Sequence, residues 1–441
     1  MKLKNLTFKG GLHLPEFKEL SEHCKIEAAL PVEELIIPLS QHVGAPCEPT
    51  VKVGDEVKVG TVIGDLDVSL YAPVHSSVSG TVTKIEDRFT LDGSVSKCVI
   101  IKNDFKDELA YEIVNKNLED ISVEEIIESV KKAGVVGMGG AAFPAHNKLA
   151  GATTGVDSVI LNGAECEPYL TCDHRMMLEW SQKIIDGLRI IMKVTNAKHG
   201  YIGIEDNKKD AIEHLTKELS SYENLHVAEL KTKFPQGDSY RMVDSILNRK
   251  VPMGGRTGNV NALVTNVGTA AAIADAVLRG IPSYERVVTV TGDGIKNPHN
   301  YIVRVGTPIG KLIEMAGGFN GSPKAIIGGG PMTGFSQFDM STPIQKNSSG
   351  LLVIKEDPSA IYEMTPCIRC AKCVEACPVH LMPLNIARLA SVENFEETEK
   401  YRVSACIACG SCSYICPAHR PLTELVTAAK RELKARSRKA R

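Results

Sequence analysis

From Asp120 to Ala133 the apolar residues Ile126, Ile127 and Val130 recur at helical spacing. Ser122 and Glu125 supply a capping box at the start, and Gly134 supplies the stop. Downstream the pattern alternates between short apolar runs and amphipathic stretches. Strands are expected at Asp157–Leu161, Gly200–Ile204, His226–Leu230 and Val260–Val267. Helices are expected at Ser181–Val194, Asn207–Ser220, Ser239–Leu247 and Thr269–Arg279. This rhythm predicts an α/β layer domain over residues 104–280. Upstream, the stretch from Thr50 to Gly60 alternates polar and apolar residues between glycine turns, so residues 31–103 read as all-β. Residues 1–30 read as an irregular arm broken by Gly10-Gly11 and Pro15. Residues 285–335 predict strands at Arg286–Gly294, Asn300–Gly306 and Lys324–Gly330 around a short helix, Lys311–Ala316. Residues 336–364 read as a linker, because Gly334 to Gly350 is polar and contains proline. In the cysteine-rich segment 365–420, Leu384–Arg402 reads as helical. In the tail, 421–441, Leu422, Leu425, Val426, Ala429 and Leu433 share one helical face, and the end from Lys430 to Arg441 is mostly basic.

The formal net charge is −2, which gives no bulk electrostatic case for a nucleic-acid partner. No signal peptide is visible at Met1–Leu6, and no apolar run reaches the ~18–20 residues of a membrane span. Eight of the 13 cysteines fall in two short repeats. The other five, Cys24, Cys47, Cys98, Cys166 and Cys172, are scattered, as in a reducing compartment. Cys166 and Cys172 read as small buried thiols, with Cys166 the better candidate for a redox role.

The repeats are Cys367, Cys370, Cys373, Cys377-Pro378 and Cys406, Cys409, Cys412, Cys416-Pro417. Both read C-x2-C-x2-C-x3-C-P. Three thiolates on one tight loop reach three irons of a cubane, and the fourth points away. Zinc sites usually take two pairs of ligands in one closed tetrahedron, which this run fits poorly. The run resembles that of two-cluster bacterial ferredoxins, in which the fourth cysteine ligates the other cluster. That resemblance implies one [4Fe–4S] cluster on Cys367, Cys370, Cys373 and Cys416, and a second on Cys406, Cys409, Cys412 and Cys377.

After Gly134 the chain packs four glycines into seven residues, Gly134, Gly137, Gly139 and Gly140, and then reaches Phe143 and Lys148. Such a loop lets backbone N–H groups approach an anion, and a helix start behind it adds a favourable dipole. Alone, it reads equally well as a flexible turn. A polar cluster, Asn162 to Pro168, follows the predicted strand Asp157–Leu161, where open α/β sheets bind ligands.

Gly134–Lys148, Leu161–Asp173 and Val264–Val267 together resemble the FMN- and NADH-binding segments of the 51-kDa flavoprotein subunit of respiratory complex I. The resemblance implies FMN phosphate and ribityl contacts from Gly137, Gly139, Gly140 and Lys148. It implies that Asn162, Glu165, Glu167, Thr265 and Asn266 line the flavin, and that Phe143 stacks on the adenine of NAD(H). No side chain is implied as an acid or base, though Glu165 is placed to tune the flavin. Ala164 stands where that family carries Asp, which removes one expected polar contact.

Residues 31–103 resemble a barrel-sandwich hybrid, or hammerhead, lacking the carrier lysine in its Asp65–Leu70 hairpin. That implies a docking or scaffold role. Residues 285–335 resemble an SLBB β-grasp module. The fold class implied is multidomain: hammerhead, 51-kDa-like α/β flavin domain, SLBB module, and an α-helical ferredoxin-like domain with two clusters. This order resembles the RnfC family of ion-translocating ferredoxin:NAD+ oxidoreductases. The resemblance implies a peripheral subunit on the cytoplasmic side of the membrane. It would pass electrons between the clusters and NAD(H) through FMN, beside an iron–sulfur partner subunit and membrane-embedded subunits that move Na+ or H+. The alternatives are an NADH diaphorase for another acceptor, of cobalamin-reductase or hydrogenase type, and a flavin-free iron–sulfur adaptor. The basic tail is expected to lie free, or to meet anionic lipid or an acidic subunit.

Overall fold

A computed structural model describes residues 3–355 and 363–439. Its centre is a four-stranded parallel sheet in the spatial order Leu225–Leu230, His199–Glu205, Ser158–Gly163, Ala262–Asn266. Helices cover both faces, so the strands are nearly continuous apolar runs rather than alternating ones. Ile160, Leu161, Ile202 and Ile204 are completely buried. The chain enters this domain through the helix Val123–Lys132. Ser122 Oγ accepts from Glu125 N at 3.2 Å, and Glu125 Oε2 accepts from Ser122 N at 2.8 Å. Helices Ser181–Thr195 and Val267–Arg279 cross at Gly187, where a Cβ would sit 2.0 Å from Ala270 O. Only glycine permits that approach, and it seats the second helix against the sheet's end.

The N-terminal β unit has one antiparallel sheet, ordered Glu34–Pro38, Val95–Asn103, Gly80–Phe89, Glu56–Val57. A smaller one is built from Glu48–Pro49, Val62–Asp65 and Val74–His75. Its Asp65–Pro73 connection lies on the glycine loop. Asn147 Nδ2 donates to Ser69 O at 2.8 Å, and Ala72 packs with Val136 and Ala142. Lys346, 1% exposed, fastens the junction by donating to Pro73 O at 2.8 Å and Gly134 O at 2.7 Å. Burial pulls its pKa down to about 7. His42 and His75 beside it are held neutral by burial and by this cation, with pKa values lowered to about 4 and about 3.

The β-grasp sheet differs from the sequence reading. Residues 336–364 are not a linker throughout, because Gly350–Ile354 is an interior strand between Glu285–Thr291 and Ala325–Gly328. Residues 356–362 of that stretch lie outside the described residues. Nor is the arm wholly irregular. Ile26–Ala28 adds a parallel edge strand to His299–Arg304.

In the cysteine-rich domain the single helix expected over Leu384–Arg402 is broken. Pro383–Ala390 is helical, Glu393 turns with φ 57°, and a short helix Phe395–Thr398 follows. The final helix, Leu422–Lys439, buries Leu422, Val426 and Ala429 chiefly against Pro383–Ala390. The predicted apolar face is therefore already covered and is not free for lipid. Residues 440 and 441 of the basic end lie outside the described residues. Among the described residues no helix is long and apolar enough to cross a membrane.

Candidate functional site

Strand order in the parallel sheet reverses between Ser158–Gly163 and Ala262–Asn266, and open α/β sheets bind ligands at the carboxyl end of such a reversal. Asn162 and Asn266 stand opposite each other there. Asn266 caps the helix Val267–Arg279, with its Oδ1 accepting from Gly268 N at 2.8 Å. That fixes the amide, so its Nδ2 points the other way.

The glycine loop folds over this end. Gly137 N donates to Phe143 O at 2.9 Å, and Met138 N donates to Thr269 Oγ1 at 2.8 Å. Gly139 has φ 105°, and a Cβ there would lie 3.2 Å from Asn266 Nδ2. At the exposed tip, a Cβ on Gly140 would meet nothing within 4 Å. The helix after the loop, Ala145–Ala150, is short, so the dipole that favours an anion here belongs to Val267–Arg279.

Of the residues expected from the sequence, Gly137, Phe143, Lys148 and Thr265 line one cleft, together with Thr269 and Leu263. Lys148 Nζ donates to Val264 O, and burial lowers its pKa to about 8. Asn162 is engaged in shaping its own turn. Its Nδ2 donates to Gly237 O at 2.8 Å and its Oδ1 accepts from Ala164 N at 3.1 Å.

Glu165 and Glu167 do not line this cleft. Glu165, at φ 49°, caps the helix Cys172–Glu179 by accepting from Asp173 N at 2.7 Å and His174 N at 3.3 Å. Glu167 accepts from Met332 N at 3.0 Å and from Thr333 Oγ1, and so ties the site loop to the β-grasp loop. Burial raises its pKa. Cys166 Sγ accepts from Gly237 N at 3.3 Å, and burial pushes both its pKa and that of Cys172 upward. Cys172 is buried and Cys166 is partly exposed.

Two buried lysines that the sequence reading passed over hold the site loop. Lys18 of the arm is 4% exposed and donates to Glu165 O at 2.9 Å, Glu167 O at 3.1 Å and Leu170 O at 2.6 Å. Lys208 donates to Ala164 O at 2.7 Å. A lysine in a polar stretch reads as solvated, so no local signal marks either one.

The second site lies in the cysteine-rich domain. Cys406, Cys409, Cys412 and Cys377 line one apolar cavity. Cys373 lies beside Cys416 and Cys367. Among the described residues no three of these thiols come within 4.8 Å of one another. A mononuclear zinc with ~2.3 Å bonds needs them closer. Backbone amides already face the sulfurs: Leu381 N donates to Cys377 Sγ and Ala408 N to Cys406 Sγ, each at 3.3 Å. A Cβ on Gly410 would lie 3.0 Å from Met332 O, so this cysteine loop touches the β-grasp loop that Glu167 holds. On its other side, Gly11 N of the arm donates to Ala376 O at 2.9 Å, and Arg241 donates to Pro378 O.

Four family models match the chain in order. They are the RnfC barrel sandwich hybrid domain over residues 6–106, the Nuo51 FMN-binding domain over 130–275, the SLBB domain over 287–336 and the 4Fe-4S dicluster domain over 359–417. The chain is 43% identical over 441 residues to the C component of the Na(+)-translocating ferredoxin:NAD(+) oxidoreductase complex of Acetobacterium woodii, covering the whole of both. It is 42% identical over 396 residues to the C component of the proton-translocating ferredoxin:NAD(+) oxidoreductase complex of Clostridium ljungdahlii, covering 89% of this chain and 86% of that one. It is 38% identical to the C component of the ion-translocating oxidoreductase complex of Serratia proteamaculans, covering 97% of this chain and 61% of the relative. Among solved structures, an NAD+-reducing [NiFe]-hydrogenase shares the fold at TM-score 0.50 and 18% identity, over 65% of this chain and 55% of that one.

Proposed function

Because this chain belongs to the RnfC family, a component of ion-translocating ferredoxin:NAD+ oxidoreductase complexes, we propose that it is the subunit that exchanges electrons with NAD(H). FMN and two [4Fe–4S] clusters are its cofactors. The observation that carries the reading is a continuous protein path. The loop that follows the strand Ser158–Gly163 reaches the cavity lined by four cysteines through Glu167, Met332 and Gly410.

The residues present fit both groups. The glycine loop leaves backbone open at Gly140, the helix behind Asn266 favours an anion, and Lys148 is a half-buried cation bonded to a neutral carbonyl. Gly137, Gly139, Gly140 and Lys148 would hold the phosphate and ribityl parts. Thr265, Asn266 and Asn162 would lie at the ring, and Phe143 would face the nucleotide. The cavity walled by Pro378, Val379, Leu381 and Ile386 suits a cluster on Cys406, Cys409, Cys412 and Cys377. The other cluster falls to Cys367, Cys370, Cys373 and Cys416. Bound flavin takes two electrons as a hydride and passes them singly to clusters. Glu165 and Glu167 act on the scaffold of the site, the first by capping a helix and the second by anchoring the loop that touches the cluster domain.

In the assembled complex this chain sits against an iron–sulfur subunit and the membrane-embedded subunits, on the cytoplasmic face. The test is anaerobic reconstitution of the full chain, with iron and flavin analysis and NADH-dependent dye reduction. About eight irons and one FMN per chain, with NADH activity, are expected. Full iron with neither flavin nor an NADH response would leave an iron–sulfur adaptor instead.

A further inference from the structure

Behind Asn266 lies a buried carboxylate to which neither the sequence nor the comparisons give a role. Asp173 Oδ2 accepts from Asn266 Nδ2 at 2.6 Å. Because Asn266 Oδ1 is already committed to Gly268 N, the amide cannot turn round to suit a different partner. Its second amide hydrogen has only a long contact, 3.4 Å, to Asn162 O, and a Cβ on Gly139 would lie 3.2 Å from the same nitrogen. The carboxylate of Asp173 therefore sets the direction in which Asn266 donates, and Asn266 in turn sets the floor under the glycine loop.

The groups facing Asp173 come from four elements and the arm. Glu165, on the site loop, brings a second carboxylate within 4.8 Å, with Cys172 Sγ beside them. Arg286 Nη2, on the strand Glu285–Thr291, lies 3.9 Å from Asp173 Oδ1 with no hydrogen bond of its own. Lys208 acts from the start of the helix Lys209–Glu218. Lys18 Nζ, on the arm, stands 4.0 Å from Glu165 Oε2. Two carboxylates crowded in a dry site cannot both ionise freely, and the nearest cation is a loose ion pair. Burial, then Glu165, raises Asp173 to about 6.

We propose that Asp173 is a positioning residue of the flavin site that orients the Asn266 amide, and that taking up a proton loosens the site's hold on FMN. This rests on the flavin reading above. Protonation replaces the charged acceptor of Asn266 Nδ2 by a neutral, weaker one, so the hold weakens as pH falls.

The test is FMN binding to the flavin-free full chain with its clusters intact, by flavin fluorescence, for wild type and Asp173→Asn. The phosphate of FMN itself titrates near ~6, so the ratio of the two dissociation constants is read, in which that effect cancels. Asparagine presents a neutral acceptor and imitates the protonated acid. At pH 7.5 the variant is expected to bind about 10-fold more weakly, the loss of one charge-assisted hydrogen bond. At pH 5 the ratio is expected near 1. A ratio that stays constant with pH overturns the proposal. If Asp173→Asn does not fold, infrared difference spectra of wild type carrying ¹³C-aspartate decide the matter. A protonated-carboxyl band with a midpoint near 6 supports it, and titration of all aspartates near ~4 refutes it. A wild-type chain that binds no FMN at any pH sinks the flavin reading, and this inference with it.

Discussion

Lys18→Met removes the ammonium from a site where three carbonyls converge on it and keeps most of the side chain's volume. Glu165 O, Glu167 O and Leu170 O would each lose a donor, and a buried acceptor left unsatisfied costs about 1–3 kcal/mol. Against that stands the release of a buried charge, whose desolvation is visible in the lowered pKa of Lys18. Removing one partner of a buried charged network nets about 3–5 kcal/mol. The lower figure corresponds to roughly two decades in a local opening constant. A chain of several domains with clusters does not unfold in two states, so the assay must be local. Hydrogen exchange should speed up by about 100-fold at the amides of Ala164, Tyr169 and Asp173, whose acceptors are Asn162 Oδ1, Glu16 O and Glu165 Oε1. The strand His199–Glu205 should be unchanged, and FMN retention should fall. Unchanged protection at those three amides would refute the idea that the arm holds the site loop.

In the double variant Cys377→Ser/Cys406→Ser, about half the iron should remain if the fourth ligands are exchanged between motifs; unexchanged ligation predicts damage to both clusters, read by iron analysis and low-temperature EPR. Lys148 is charged below its pKa of about 8, so FMN affinity should weaken as pH rises through 8 in wild type and stay flat there in Lys148→Met, measured by flavin fluorescence. Glu167→Gln keeps an acceptor for Met332 N and should lose less than about 1 kcal/mol, whereas Glu167→Ala should free residues 328–334 to exchange and slow the passage of electrons from NADH to the clusters. Stopped-flow spectra that show equal cluster reduction in both variants would contradict that route.

Much of this was readable from residue patterns because the determinants are local. Cysteine spacing carries its own geometry, and Ser122 and Glu125 meet across one helical turn. The β-α rhythm returned the four strands of the parallel sheet to within about two residues at each end. The failures share a cause, which is that the determining partner is distant in the chain. Gly350–Ile354 is a plain apolar run, yet its place inside the sheet depends on Glu285–Thr291 and Ala325–Gly328. Lys18, Lys208 and Lys346 each sit among polar neighbours, and their burial is decided by carbonyls that converge only after folding. Glu165 and Glu167 were placed at the flavin by the resemblance to the 51-kDa family, which carries no information on this chain's own loop contacts. The positive φ at Glu165 and the nearby β-grasp loop turn them to other work.

The arm leaves the ribosome before the segments it docks on, and it is among the last to find its partners. Lys18 can close on the 165–170 loop once that loop exists, but Ile26–Ala28 must wait for His299–Arg304, and Gly11 for Ala376. At ~5–20 residues per second, the interval between Asn266, the end of the last strand of the parallel sheet, and Ala376 is roughly 6–22 s of synthesis. During that interval the glycine loop and its sheet are complete, while the strap that ties them to the cluster domain is still loose. The chain's own order of manufacture thus leaves the flavin pocket unstrapped until the cluster domain has begun to emerge.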